Sequence, residues 1–177
     1  MASRLEIAQL GSDVIRESSI EVEDIDSPET KSFIDNLMYT CKVEKGMGIA
    51  APQVYHSKSI FIMSSEPNER YPNAPKMQPV AIINPKIIAY SKEKEQDWEG
   101  CLSLPGIRAL VPRHKKIEVL YTNQSGELIN IVFDGFLARV FQHEFDHLNG
   151  TVFIDRVVST KDIVMEAEYR KIIKNIN

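Results

Sequence analysis

The sequence predicts an α+β fold with mainly antiparallel β-structure, an N-terminal helix, a C-terminal helix and a third helix between them. Hydrophobic residues recur at three- and four-residue spacing in three segments, which is typical of amphipathic helices. Segments rich in Ile and Val lie between the first two of them and predict strands. The chain has 177 residues, the size of one domain, so we predict a single domain over residues 1–177.

Composition and charge exclude several classes of protein. Hydrophobic residues make up 43% and charged residues 26%, which is typical of globular domains and not of disordered or fibrous chains. The formal net charge is -4 and Lys and Arg are scattered, which argues against nucleic-acid binding. No apolar run could span a membrane, and residues 1–13 match neither a signal nor a transit peptide. We therefore expect a cytoplasmic protein in which Cys41 and Cys101 are reduced.

The first helix is predicted to start at Asp26-Ser27-Pro28, where a capping side chain precedes a proline. Its buried face is then a stripe that ends before Gly46. The stripe consists of Phe33, Ile34, Leu37, Met38 and Cys41. Cys41 is therefore interpreted as a core residue.

The middle of the chain is predicted to be rich in β-structure. Residues 59–63 and 80–89 are predicted strands, and the Pro- and Asn-rich stretch over residues 66–79 is a predicted loop. Residues 116–122 and 128–133 flank a run of turn-forming residues, which predicts an antiparallel hairpin.

Two further helices are predicted in the last third of the chain. The second helix starts after Asp134 and ends at Asn149-Gly150. Its apolar face contains Phe136, Leu137, Val140, Phe141, Phe145 and Leu148. The last helix is predicted to start at Ser159 or Thr160. Its apolar face contains Ile163, Val164, Ala167, Ile172 and Ile173.

The segment QHEFDHLNG of the second helix carries the strongest chemical signal. His143 and His147 are four residues apart, so both imidazoles leave one face of the helix and could bind one metal ion. Glu144 is rotated by about 100° from His143 around the axis. From there its carboxylate could act as a general base on a water without itself binding the metal.

A catalytic centre of this type needs a third protein ligand, because two imidazoles leave the site too open. Glu166 and Glu168 in the last helix are candidates, as in many peptidases that contain a His-Glu-x-x-His motif. Cys101 in the segment WEGCLSLPG is the other candidate, since a thiolate is the stronger ligand and Gly100 permits close approach of the backbone. The spacing of the residues leaves both candidates open.

The segment from Gly46 to Gln53 is a tight loop of small residues between the first helix and a strand. It lacks the Lys-Ser/Thr ending of a phosphate-binding loop. Small residues would instead let the backbone of a ligand lie against that of the protein, with Gln53 as a neutral donor.

Together these segments resemble the peptide deformylases, whose motifs read GxGxAAxQ, EGCLS and QHExDHLxG. All three motifs are intact here, and the resemblance extends from the N-terminus to Asp155. It implies antiparallel sheets around a central metal-binding helix. It also implies a hydrolase that removes the formyl group from the N-terminal formyl-methionine of new polypeptides and releases formate.

The resemblance further implies roles for individual residues. The metal would be bound by Cys101, His143 and His147, and it would be Fe²⁺, for which Zn²⁺ or Ni²⁺ may substitute. The ligand types alone would have suggested zinc. Glu144 would transfer protons, and the side chain of Gln53 and the backbone N–H of Leu102 would stabilise the oxyanion.

A bound peptide would add as a strand, with its main chain against the segments Gly48-Ile49 and Glu99-Gly100. The methionine pocket is assigned by position. It would be lined by Met47, Phe136, Arg139 and Val140. Arg108 would contact carbonyl groups of the peptide, and Glu99 is interpreted as a buried carboxylate that orients its neighbours.

Two other functions are compatible with the motifs: a metallopeptidase that uses Glu166 as third ligand, and a non-catalytic module with a structural metal. The expected partners are formylmethionyl nascent peptides, with the ribosome as a further candidate. His56 and His114 lie outside the motifs and receive no role. The N-terminal segment Gly11-Ser12-Asp13 lacks the proline that the family often has there, so its local geometry is left open.

Overall fold

The fold was described from a computed structural model, which covers residues 2–68 and 71–174. In this part of the chain, two antiparallel sheets flank one central helix. The five-stranded sheet has the order β1-β2-β3-β6-β7, and the three-stranded sheet has the order β4-β5-β8. The strands are β1 (Gly48–Ala50), β2 (Ile60–Ser65), β3 (Met77–Tyr90), β4 (Lys94–Cys101), β5 (Leu104–His114), β6 (Lys116–Thr122), β7 (Leu128–Asp134) and β8 (Ile163–Met165). The predicted α+β fold is confirmed.

Helix α1 (Pro28–Val43) starts where the sequence predicts. The Ser27 side chain accepts a hydrogen bond from the backbone N–H of Thr30 and so caps the first turn. The predicted apolar stripe, Cys41 included, packs against β1, β2 and β3. This packing fixes the loop that leads from α1 into β1.

Helix α2 (Gly135–Leu148) lies between the two sheets. Its apolar face packs on the five-stranded sheet, where the Phe141 ring meets the Phe61 ring edge to face at a centroid distance of 5.1 Å. The opposite face carries His143, His147 and Arg139 towards the three-stranded sheet. The predicted hairpin corresponds to β6 and β7, which pair from Lys116↔Asp134 to Thr122↔Leu128.

The prediction for the C-terminal segment was partly wrong. Residues Thr160–Asp162 form a single 3₁₀ turn, and helix α3 (Glu166–Lys174) starts only after β8. Ile163 and Val164, predicted on the helix face, pair instead with Ala109 and Arg108 of β5. Both are β-branched, and the available edge of β5 favours a strand over a helix here.

The strand predictions also needed correction. Strand β3 starts at Met77, so the predicted loop over residues 66–79 ends early, and residues 69–70 of that loop lie outside the described part of the chain. Strands β4 and β5 were not predicted. Strand β4 is largely polar and exposed and shows no apolar alternation, which is the pattern that predicts a half-buried strand. No helix among the described residues is long and apolar enough to cross a membrane.

Candidate metal centre

Helix α2 and the end of β4 bring three candidate ligands together. The sulfur of Cys101 and one nitrogen from each of His143 and His147 all lie within 4.8 Å of one another. Cys101 Sγ is 3.3 Å from His147 Nε2. The histidines meet because residues four apart share one face of a helix, and β4 ends beside that face. Two imidazoles and a thiolate are the donor set of a transition-metal site, so the group fits a metal ion.

The two histidines have opposite pKa shifts. Burial alone would lower the pKa of His143, but hydrogen bonds with Cys101 and Glu99 raise it well above its usual value, so metal binding would displace a proton from this ring. His143 Nδ1 lies 2.9 Å from Glu99 Oε2, which leaves Nε2 as the ligand atom. Burial lowers the pKa of His147 well below its usual value, with the charges of His143 and Arg113 acting in the same direction. The His147 ring is therefore neutral, as a metal ligand must be.

Glu99 is the centre of a buried ion network. Its carboxylate accepts hydrogen bonds from Arg113 Nε at 2.9 Å and Nη2 at 3.0 Å, and from Arg139 Nη1 at 2.8 Å. Burial opposes ionisation, but Arg113 and the hydrogen bond from His143 hold the pKa of Glu99 well below its usual range. Glu99 was predicted both to lie beside a bound peptide and to be a buried carboxylate that orients its neighbours. Its contacts in the structure are those of an orienting carboxylate.

Arg113 and Asp146 are residues of the site that the sequence analysis missed. Arg113 Nη1 donates to Asp146 Oδ2 at 2.6 Å, and Asp146 also accepts hydrogen bonds from Arg156. Asp146 is an acidic residue inside the metal-binding motif, and Arg113 follows an apolar stretch of β5. Charges at such positions are the signal that could have indicated a buried pair.

Glu144 is buried beside the three ligands. Its Oε2 atom has no hydrogen-bond partner among the described residues. The side chain packs on Gly48, where a Cβ atom would lie 2.5 Å from Glu144 Oε1, so glycine at this position leaves room for the carboxylate. Burial raises the pKa of Glu144 to about 7, although the charge of His143 opposes the rise. The carboxyl group can therefore take up and release a proton near neutral pH.

Gln53 lies next to Cys101, and its amide has a fixed orientation. Its Oε1 atom accepts a hydrogen bond from the Ala50 backbone N–H at 2.8 Å. Its Nε2 atom therefore faces Cys101 Sγ at 3.3 Å and Ser103 Oγ at 3.2 Å. Ser103 is fully buried and was not singled out from the sequence.

A cleft of about 360 Å³ opens beside the three ligands. It contains most of the predicted site residues: Met47, Gly48, Gln53, Glu99, Gly100, Cys101, Leu102, Arg108, Phe136, Arg139, Val140, His143 and Glu144. His147 and Ile49 are not among its lining residues, and the Ile49 side chain is buried in the core against α1. Ile49 could therefore contact a ligand only through its backbone.

Two edge strands, one from each sheet, border this cleft. Within the described strands, β1 pairs only with β2, and β4 pairs only with β5. Gly48 and Gly100, which both line the cleft, lie on these two strands. An extended peptide between them could form main-chain hydrogen bonds on both sides.

The arginines predicted to bind substrate have other partners. Arg108 Nε donates to Glu166 Oε2 at 2.5 Å, and its guanidinium packs against Gly100 and over the Tyr169 ring. The Arg139 guanidinium bonds to Glu99 and to two backbone carbonyls, so it offers the cleft mainly its alkyl stem.

The competing third ligands are engaged in ion pairs, although Glu166 lines the same cleft. Glu166 pairs with Arg108 and Arg170, and Glu168 pairs with Lys171. Neither belongs to the group of three ligands found among the described residues. His56 packs on the Phe33 ring and His114 bonds to the Ser91 carbonyl, both apart from that group.

The network predicts a strong effect of Arg113 on stability. Arg113→Ala should lower the free energy of unfolding by about 3–5 kcal/mol, because it leaves two buried carboxylates without their shared partner. Arg156→Ala is the matched control, since its half-exposed side chain also pairs with Asp146, and it should cost under about 1 kcal/mol. Urea unfolding of the metal-free proteins measures both. Equal losses in the two variants would contradict the importance of the buried network.

Comparison with known proteins identifies the family. A sequence model of the polypeptide deformylases matches residues 4–162. Peptide deformylase 2 of Nostoc sp. is 50% identical over 169 residues, 96% of this chain and 94% of that protein. Peptide deformylase 2 of Shewanella oneidensis is 44% identical over 165 residues, 93% of this chain and 90% of that protein. The Met-Ala-Ser-bound class I type b peptide deformylase of Acinetobacter baumannii has a TM-score of 0.85 at 40% identity, covering 89% of this chain and 100% of that one. The chain belongs to the polypeptide deformylase family.

Proposed function

We propose that this protein removes the N-formyl group from the N-terminal formyl-methionine of newly synthesised polypeptides at the centre formed by Cys101, His143 and His147. Membership of the deformylase family supports the reaction. One structural observation carries the assignment to this centre. The three ligand atoms converge on one point, and two of the ligands, Cys101 and His143, line a cleft together with the buried carboxylate of Glu144.

The cation proposed for this centre is Fe²⁺, with Zn²⁺ or Ni²⁺ as substitutes, bound by Cys101, His143 and His147. When bound, this cation would act as a Lewis acid that polarises the formyl carbonyl and lowers the pKa of a nearby water. Glu144 takes a proton from the attacking water and delivers it to the nitrogen of the leaving amine. Its buried position gives it a proton affinity suited to both steps.

The charge that develops on the formyl oxygen needs hydrogen-bond donors. The Gln53 Nε2 group and the backbone N–H of Leu102 are proposed for this role, since both residues line the cleft beside Cys101. The Gln53 amide is held in place by Ala50 and Ser103, so it requires little reorganisation when the charge appears.

The peptide is proposed to bind as a strand between the edges of β1 and β4, with its main chain against Gly48-Ile49 and Glu99-Gly100. The methionine side chain would occupy the apolar part of the cleft lined by Met47, Phe136 and Val140. The related Acinetobacter enzyme was crystallised with Met-Ala-Ser bound, which is the peptide that removal of the formyl group from formyl-Met-Ala-Ser would leave.

The domain, location and partners follow from the proposed reaction. We propose that residues 1–177 form one catalytic domain and that it acts in the cytoplasm, where formylated chains would be synthesised. The ribosome, as the source of those chains, is a proposed partner.

The activity can be tested with formyl-Met-Ala-Ser. The anaerobically purified, iron-loaded protein should release formate from this peptide and should leave unblocked Met-Ala-Ser intact. Glu144→Ala should bind the metal with unchanged stoichiometry and should lose nearly all formate release, because proton transfer is lost. Cleavage of internal bonds in unblocked peptides would instead indicate a peptidase, and a metal-loaded protein inactive on both would indicate a structural module.

The ligand set can be tested by thiol labelling. Burial, aided by the nearby Glu144 charge, raises the pKa of Cys41 to about 12, so Cys41 stays protonated and unreactive. A chromogenic disulfide reagent should therefore modify only Cys101 in the native metal-free protein, and neither cysteine once metal is bound. Cys101→Ser should abolish both the labelling and tight metal binding. Labelling that metal does not prevent would contradict the role of Cys101.

The proposed metal predicts sensitivity to oxygen. A thiolate ligand at the wall of an open cleft is prone to oxidation when it binds iron, so the iron form should lose activity in air. The nickel form should keep its activity under the same conditions. Time courses of formate release from matched iron- and nickel-loaded samples measure the difference. Equal decay of the two forms would contradict Fe²⁺ as the source of the instability.

A further inference from the structure

The N-terminal arm, defined here as residues 8–19, contacts all three segments that carry the proposed reactive groups. These segments are the turn around Gln53, the segment Cys101-Leu102-Ser103, and the C-terminal end of α2. The arm contains no regular helix or strand apart from a 3₁₀ turn over Asp13–Arg16. Its contacts are therefore made by an irregular backbone whose path the three segments determine.

Two backbone hydrogen bonds link the arm to the proposed oxyanion donors. The N–H of Ala8 donates to the backbone carbonyl of Gln53 at 2.8 Å. The N–H of Leu10 donates to the backbone carbonyl of Ser103 at 2.9 Å. One short piece of arm thus spans the two segments whose donors must converge on a single formyl oxygen.

The arm also packs between the cysteine segment and the segment that follows α2. Ala8 and Ile15 are fully buried in a cluster with Leu104 and Phe153. The Phe153 ring in turn stacks on His143, with ring centroids 6.0 Å apart. The cluster therefore connects the arm to one of the metal-binding histidines through a single side chain.

A third set of contacts attaches the arm to the end of α2. The Ser19 N–H donates to the Leu148 carbonyl at 2.8 Å, and Arg16 pairs with Asp155. Gly150 has a positive φ of 65°, and a Cβ atom at this position would overlap the backbone carbonyl of Arg16. Glycine at position 150 therefore allows the arm to approach closely, just after His147.

We propose that the N-terminal arm is a positioning element for catalysis, which fixes Gln53 and Leu102 relative to the metal-binding end of α2. The inference rests on the roles proposed above for those two residues. A misplacement of a catalytic group by about 1 Å can lower the rate about 100-fold, so the loss of even one contact between the arm and these two segments should be measurable. Loosening should lower kcat, because oxyanion donors act in the transition state, and should leave KM and metal content nearly unchanged.

The test replaces single backbone N–H groups by ester oxygens, through incorporation of α-hydroxy acids at positions 8 and 10. This change removes one hydrogen-bond donor and keeps the side chain. The matched control is the same change at Gln9, whose N–H makes no hydrogen bond within the described part of the chain. The esters at positions 8 and 10 should lower kcat for formyl-Met-Ala-Ser by about tenfold or more relative to the ester at position 9.

A second pair of variants tests the contact at α2 without changing the arm itself. Gly150→Ala and Gly126→Ala both place a Cβ atom at a positive φ, but only the first meets the arm. Gly150→Ala should lower kcat with metal content and KM retained, whereas Gly126→Ala should not. If the ester variants do not fold, the glycine pair tests the positioning role alone. If Gly150→Ala does not fold, the ester variants test it alone.

Two outcomes would overturn the proposal. One is an unchanged kcat in the folded test variants, and the other is a loss of activity that only follows the loss of bound metal. Gln53→Leu separates the proposal from the oxyanion assignment on which it rests. If Gln53→Leu leaves kcat unchanged, the assignment fails; if it lowers kcat while the arm variants do not, only the positioning role fails.

Discussion

The buried carboxylate of Glu99 joins three elements of the fold. It lies on β4 and accepts hydrogen bonds from Arg113 on β5 and from Arg139 and His143 on α2. A buried carboxylate costs several kcal/mol unless cationic partners surround it, so these elements must stay together for the charge to be tolerated. The same contacts join β4, which ends at Cys101, to the face of α2 that carries His143 and His147. The geometry of the candidate metal centre therefore depends on this ion network.

The sequence predicted the elements whose signal is local. Helices α1 and α2 and the hairpin β6-β7 have apolar periodicity and capping or turn residues within their own segments, and the structure contains each of them. The ligands Cys101, His143 and His147 were also predicted, but Cys101 depended on the family resemblance, because the spacing left Glu166 open as third ligand. The structure brings the three predicted ligands together and pairs Glu166 with Arg108.

The missed features depend on long-range contacts. Arg113 and Asp146 are 33 residues apart, and each resembles an ordinary surface charge until the fold buries the pair. The segment over residues 163–165 has helical spacing, yet it forms a strand because an edge of β5 is available to it. The backbone hydrogen bonds of the N-terminal arm cannot be predicted from the residue types, since an N–H donor is present at every residue except proline.

Strand β4 shows why edge strands are difficult to predict. Its residues 94–97 are exposed and polar, so the segment lacks the apolar alternation by which a half-buried strand is usually found. That polarity also disfavours edge-to-edge aggregation, which is a hazard for any unpaired strand. The strand becomes buried only at Glu99, where the ion network begins, and it ends at the candidate metal ligand Cys101. Strand β4 thus combines a polar, weakly patterned segment, which leaves its edge exposed, with last residues that the ion network holds in place.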